Sequence, residues 1–216
     1  SQEQPAAQEE LVTLVPLPEH SKALFITLAY LEKYHYRKLK LNDSLSAVVF
    51  DNYIEGLDPS KVFFLQSDLD YFEKYKLQLD DELSAEKLDF GFQVFNLYQT
   101  RVLDQYALIP EMLEKGFDYE KEEFYDLDLE EIDWASNSQE LNERWRLIIK
   151  GQALNLLLAN KEWDEVKKIL SDRNARRIKS LYQNKSEDVF QVYLNALTSA
   201  YDPHTSYFSP ITSDNF

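Results

Sequence analysis

Three histidines, His20, His35 and His204, are the first places where this sequence could do chemistry. A metal site on helices needs His and Glu ligands repeated at helical spacing on facing helices. No second histidine stands four residues from any of the three, and neither His20 nor His204 follows a Glu by three. His35, between Tyr34 and Tyr36, reads as a residue that packs near a helix end. The acidic run from Asp126 to Glu130 looks like the start of a calcium loop. Its sixth position is Glu131 where such a loop needs Gly, and its twelfth is Asn137 where it needs Glu. Asp80, Asp81 and Glu82, like Glu122 and Glu123, are sequence neighbours that read as solvated rather than as an acid/base pair in a cleft. There is no Gly-x-Ser-x-Gly elbow, phosphate loop or dinucleotide fingerprint. Cysteine is absent, which removes thiol catalysis, thiolate metal sites and disulfides. No cofactor is implied. The cations Arg173, Arg176, Arg177 and Lys179 stand out against the acidic background. They read as helix C-terminal charges, or as a docking face for another, acidic part of a longer protein.

The elements that must position these groups are helical. In 216 residues there are only 4 Gly against 14 Tyr and 13 Phe. Sandwiches, barrels and nucleotide folds need more glycine than that. Hydrophobic residues make up 44% of the chain, too many for a disordered one. The net charge of −16 disfavours nucleic-acid binding. No segment approaches the roughly 20 apolar residues that span a bilayer.

Residues 1–18 read as an extended tail, with Pro5, Pro16 and Pro18 opposing helix. The opening SQEQPAAQEE looks like a trimmed N-terminus. Helices are predicted over about 19–37, 42–57, 67–83, 84–115, 136–160, 163–182 and 186–201. The caps expected for them include Asn42, Ser67, Ser136 or Ser138, and Ser186. Val62 to Leu65 is an apolar run, either a brief strand or an anchoring loop. Gly91 is expected to weaken its helix and Pro110 to kink it. The stretch 116–138 reads as an acidic surface loop anchored by Phe124, Ile132 and Trp134. No 34- or 40-residue repeat is present. The expected fold is all-α: an irregular bundle of about seven helices over 19–216, with at most a minor strand near 62–65.

Several segments then resemble, in order, the N-terminal domain of the tail-specific, C-terminal-processing proteases. They are HYRKLKLND from His35, FDNYIEGLD from Phe50, LQSDLDYF from Leu65, NKSEDVF from Asn184 and DPHTSYFSP from Asp202. The resemblance covers about residues 20–216. It implies a helical domain preceding a PDZ domain and a serine protease core whose nucleophilic Ser is activated by a Lys. Both residues lie beyond the segment matched here, so no catalytic residue is carried onto this chain. It further implies a bacterial cell-envelope location, usually periplasmic, after removal of a signal peptide. The implied partners are the downstream PDZ and protease domains, unfolded protein substrates and an adaptor protein. The expected role is a noncatalytic scaffold or substrate-binding wall, with Asp202, Pro203, His204, Thr205 and Tyr207 as the joint into the protease part. Pro203 would stiffen that joint and the Asp202 carboxylate could accept from following N–H groups. The competing reading is a freestanding helical adaptor without enzymatic activity.

Overall fold

A computed structural model describes residues 10–34, 39–124 and 132–202. Eight α-helices are found among them: α1 Pro18–Tyr34, α2 Asp43–Leu57, α3 Gln66–Phe72, α4 Leu79–Ser84, α5 Asp89–Lys115, α6 Ser138–Leu158, α7 Trp163–Tyr182 and α8 Ser186–Tyr201. A short 3-10 turn, Glu73–Tyr75, follows α3. The described residues hold no sheet, only one parallel bridge between Leu65 and Ala135. The all-α expectation holds.

Local sequence explains most boundaries. Asn42 caps α2, its Oδ1 accepting the Leu45 N–H at 3.0 Å. Asn137, not Ser136 or Ser138, caps α6 by accepting from Glu140 N–H at 2.9 Å. Two expected serine caps are replaced by carboxylates reaching back. Asp68 accepts from Leu65 N–H ahead of α3, and Asp188 from Lys185 N–H ahead of α8. Pro18 opens α1 rather than blocking it, since the first helical position leaves its N–H unpaired in any case. Ahead of it, Leu14 is docked on α5 through both its backbone groups by the Asn96 amide.

The single helix expected over 67–83 is instead α3, the 3-10 turn and α4. Its break has a tertiary cause. Buried Ser46 of α2 donates to Lys76 C=O at 2.7 Å and accepts from Leu79 N–H at 2.8 Å, so α4 gets its cap from another helix. The 62–65 run is an anchoring loop: Gln66 N–H donates to Ala135 C=O, and the Trp145 indole N–H donates to Val62 C=O at 2.6 Å.

The helices enclose two apolar clusters. One gathers α1 to α4, the first part of α5 and α8 around Phe50, Tyr53, Phe90, Phe190 and Tyr193. The other gathers the 62–65 loop, the later part of α5, α6 and α7 around Ile109, Trp145, Ile149, Val166 and Leu170. In α6 the buried stripe is Leu141, Trp145, Ile149 and Ala153, a strict four-residue step; Ile148 and Gln152 are half-buried beside it. Gly91 is not a weak point. A Cβ there would sit 2.3 Å from the Tyr193 ring, and its C=O accepts from Tyr53 Oη at 2.7 Å. Glycine is what lets α8 approach α5.

Helix α5 runs through both clusters and continues past Pro110 to Lys115. Proline has no N–H, so the Tyr106 C=O one turn earlier loses its helical donor. The Asn174 side chain of α7, buried, donates to that carbonyl at 3.0 Å. This bond fastens α7 to α5 at the point where proline leaves an acceptor open.

We expect Asn174→Ala to lower unfolding free energy by about 1–3 kcal/mol. In a Pro110→Ala background the same change should cost less, because alanine at that position restores the missing N–H. A double-mutant cycle by urea unfolding measures the difference; equal costs in both backgrounds would refute the compensation.

Candidate functional site

The site is a trough along α8, and Asp58 belongs to its lining. Asp58 follows α2 and is buried. Its carboxylate accepts from the N–H groups of Val62, Phe63 and Phe64 at 2.9, 2.8 and 2.9 Å. Burial pushes its carboxyl above the usual carboxylate range, and these three donors together with the Arg144 charge pull it back. Arg144 donates to Lys61 C=O and Asp133 C=O, and Lys61 Nζ donates to Ile132 C=O at 2.6 Å. Lys61 itself takes a left-handed φ of 52°. The turn after α2 is thus held by charge-assisted bonds from every side.

Asn52 of α2 donates to Ala196 C=O of α8, setting the spacing of the two helices. Between them lies a concavity of about 810 Å³ whose lining includes Asn52, Glu55, Gly56, Lys61, Asn195 and Ser199. A second, of about 410 Å³, is walled by Tyr98, Tyr106, Arg177, Asn184 and Asp188. Gly56 and Val192 line both, so the two concavities meet there. Burial raises the Tyr98 and Tyr106 hydroxyls above the ordinary phenol range, with Arg177 opposing the rise at Tyr106. Arg177 lies over the Tyr106 ring at 5.9 Å from its centroid.

This arrangement is suited to binding. Amide and hydroxyl side chains can exchange hydrogen bonds with an extended backbone, and tyrosine faces can take apolar side chains. Among the described residues no three His, Cys, Asp or Glu side chains gather to hold a metal ion. Glu32 stands three residues before His35, one half of a helical metal pair, but His35 lies outside the described residues. The calcium-like stretch from Asp126 falls there as well, through Glu131.

The four cations singled out in sequence are all exposed on α7. Arg173, Arg176 and Arg177 share a face at helical spacing. Only Arg177 reaches the trough; Lys179 lines a separate hollow with Glu10, Tyr182 and Gln183. Of the joint, Asp202 is described: its N–H donates to Thr198 C=O at 3.1 Å and ends α8. Pro203, His204, Thr205 and Tyr207 lie outside the described residues.

Two positioning groups escaped the sequence reading. His20 is buried, stacks on Phe190 at 4.4 Å, accepts from Leu17 N–H through Nδ1, and meets Glu187 of α8 through Nε2 at 2.9 Å. Its signal was its place one turn before Leu24 on the buried stripe of α1. Glu123 meets Arg146, Lys150 and Lys121 at 2.6, 2.6 and 3.1 Å. Its signal was the pair Arg146 and Lys150, one helical turn apart. Glu123 therefore anchors the acidic loop, whereas the expected anchor Phe124 is 87% exposed. Trp134 does pack, against the first cluster.

A family model described as the tail specific protease N-terminal domain matches residues 27–211. A Haemophilus influenzae protein called tail-specific protease is 34% identical over 215 residues, 99% of this chain and 31% of that protein. The chain thus spans about a third of the length of the curated relative it matches. No described helix is long and apolar enough to cross a membrane.

Hydrogen bonds from Arg146 and Lys150 hold the Glu123 carboxyl down at about 2, against an ordinary 4.5. A depressed folded-state pKa stabilises the fold fully above 4.5, and that contribution disappears as pH falls through 2. Urea unfolding across this range should show wild type losing stability faster than Glu123→Gln, which begins less stable at neutral pH. Parallel pH profiles would show that the cluster carries no linkage.

Proposed function

The chain belongs to the family of tail-specific protease N-terminal domains, and on that premise we propose that it is the noncatalytic helical front of a longer serine protease. Its role is to form a wall that holds unfolded polypeptide beside a downstream PDZ domain and a Ser/Lys protease core. The observation that carries this reading is the trough along α8. It has amide and hydroxyl groups along its sides, and Gly56 where its two concavities meet. A polypeptide laid there in extended form would be held mainly through its backbone, which suits substrates of varied sequence.

On this reading the exposed face of Arg173, Arg176 and Arg177, with Lys179 nearby, receives an acidic part of the same longer protein. An adaptor protein is a further partner of the same wall. Asp202 to Tyr207 form the joint into the downstream domains. The parent protein works in the cell envelope, in the periplasm, after loss of a signal peptide. These assignments follow the family resemblance; the exposure of the α7 cations supports the docking face, and the end of α8 at Asp202 supports the place of the joint.

Gly56 offers a clean test. A Cβ at this helical position meets nothing within 4 Å. Gly56→Ala should therefore stabilise the chain by about 0.5–1 kcal/mol and leave proteolysis by the full-length gene product unchanged. Gly56→Trp should fill the junction and raise KM for an unfolded substrate several-fold with kcat retained. Identical KM in wild type and the Trp variant would remove the trough from the substrate path. A full-length gene product without proteolytic activity would instead favour the adaptor reading.

A further inference from the structure

Three helices of this chain begin with the same device: a side chain at the third helical position reaches back and accepts the N–H of the residue before the helix. In α3 and α8 that side chain is a carboxylate, Asp68 on Leu65 N–H and Asp188 on Lys185 N–H. In α1 it is an imidazole. His20 Nδ1 accepts from Leu17 N–H at 3.1 Å, while His20 N–H donates to Leu17 C=O at 3.0 Å. A ring nitrogen that accepts carries no proton, so the proton of the neutral ring stands on Nε2, where it is donated to Glu187 Oε2 of α8 at 2.9 Å. Leu17 lies between Pro16 and Pro18, neither of which has an N–H. Its amide is therefore the one backbone donor between Val15 and Glu19, and His20 holds it.

We propose that His20 is a proton-operated latch, which holds the segment ahead of α1 while its ring is neutral and releases it when the ring gains a proton. An imidazolium has an N–H on both ring nitrogens and no acceptor left. Nδ1–H then faces Leu17 N–H, donor against donor, and the cap of α1 is lost. A carboxyl group that gains a proton keeps an acceptor oxygen, so the Asp68 and Asp188 caps do not share this property. The surroundings of the ring pull in both directions. Glu187 gains a charge-assisted bond from the imidazolium. The Phe190 ring stacked at 4.4 Å, the Phe92 ring at 6.1 Å and the positive end of the α1 dipole oppose the charge. The remaining ionisable groups beside these contacts are exposed. They are Glu19 and Lys22 on α1, Lys185 and Asp188 at the start of α8, and Glu86, Lys87 and Asp89 where α5 begins. Glu86 borders α1 through its C=O, which accepts from Ser21 Oγ. Protonation thus strengthens the tie of α1 to α8 and cuts its tie to the segment before it. That segment is held further back, at Leu14, by the Asn96 amide. The stretch set free is 15–17, which lies at the surface, with Leu17 37% exposed.

Hydrogen exchange of the full-length gene product between about pH 8 and about pH 5 tests the latch, since histidine ordinarily takes up its proton in this range and carboxylates below it. Fragments that end on either side of Leu17 isolate its amide, because both neighbours are prolines. Labelling times are scaled to the intrinsic exchange rate at each pH, and the amides of α7 serve as the internal reference. The Leu17 amide should lose protection several-fold at the acid end. His20→Gln keeps an acceptor at this position that does not titrate, and its Leu17 amide should stay protected throughout. Glu187→Gln keeps an acceptor for Nε2 without the charge, and should move the midpoint of release to lower pH. Equal protection of Leu17 at both ends of the range in wild type would overturn the latch. So would a loss in His20→Gln that matches wild type. Where His20→Gln leaves Leu17 open at every pH, Glu187→Gln decides: a lowered midpoint upholds the latch and an unchanged one overturns it.

Discussion

The carbonyl of Tyr106 is the point on which the two halves of this molecule depend. Helix α5 is shared by both apolar clusters, and its 27 residues give it a length of about 40 Å. A helix in that position must stay continuous, yet it carries Pro110 near its C-terminal end. The open acceptor this creates is met from α7 by Asn174. The bond does more than satisfy a polar group. It sets the rotation of α7 about its axis, since Asn174 must point at α5. Arg177, three residues on, is thereby brought over the Tyr106 ring and onto the wall of the second concavity. A covalent feature of one residue thus fixes, through one side-chain amide, which cation of the basic stretch reaches the trough.

Electrostatics follows the same pattern. A chain of net charge −16 has few cations relative to its acids, and their distribution is informative. Arg144 and Lys61 are engaged by carbonyls around the Asp58 turn, Arg101 by Asp68, and Arg146 with Lys150 by Glu123. The arginines and Lys150 each tie a loop or short helix to a long one, and Lys61 ties two loops together. Buried or half-buried groups of this kind fix geometry more than they add stability, since desolvation offsets much of their attraction. Arg173, Arg176 and Lys179 of α7, and Lys22 and Lys33 of α1, are by contrast exposed.

Much of this was legible in the sequence where local signals decide. The extent of α2, α7 and α8 and the Asn42 cap all followed from period and capping chemistry. The break between α3 and α4 was not legible, because it is capped by Ser46 from α2, 33 residues earlier than the N–H it serves. Phe124 looked like an anchor by hydrophobicity, yet its neighbour Glu123 holds the loop, because three cations meet a carboxylate there. For the trough the sequence offered Arg177 alone. A concavity between helices far apart in the chain leaves no local pattern.

The glycines show how such a concavity can be read once the packing is known. Gly91 is required by the fold, because Tyr193 occupies the space a side chain would need. Gly116 is required by its backbone, which turns with φ of 68° as α5 ends. Gly56 and Gly151 have neither reason: a Cβ at each would meet nothing within 4 Å. A glycine inside a helix costs stability relative to alanine, so such positions ask for another cause. Open space alone does not supply one, since Gly151 lies on an exposed part of α6 that borders none of the concavities described above. Gly56 differs in lining both parts of the trough at their junction, where a bulky side chain would project into the trough. Packing explains the first two glycines. Gly56 is left to the shape of the trough, whose lining it shares with Asp58 and with Arg177 of the helix that Asn174 fastens to α5.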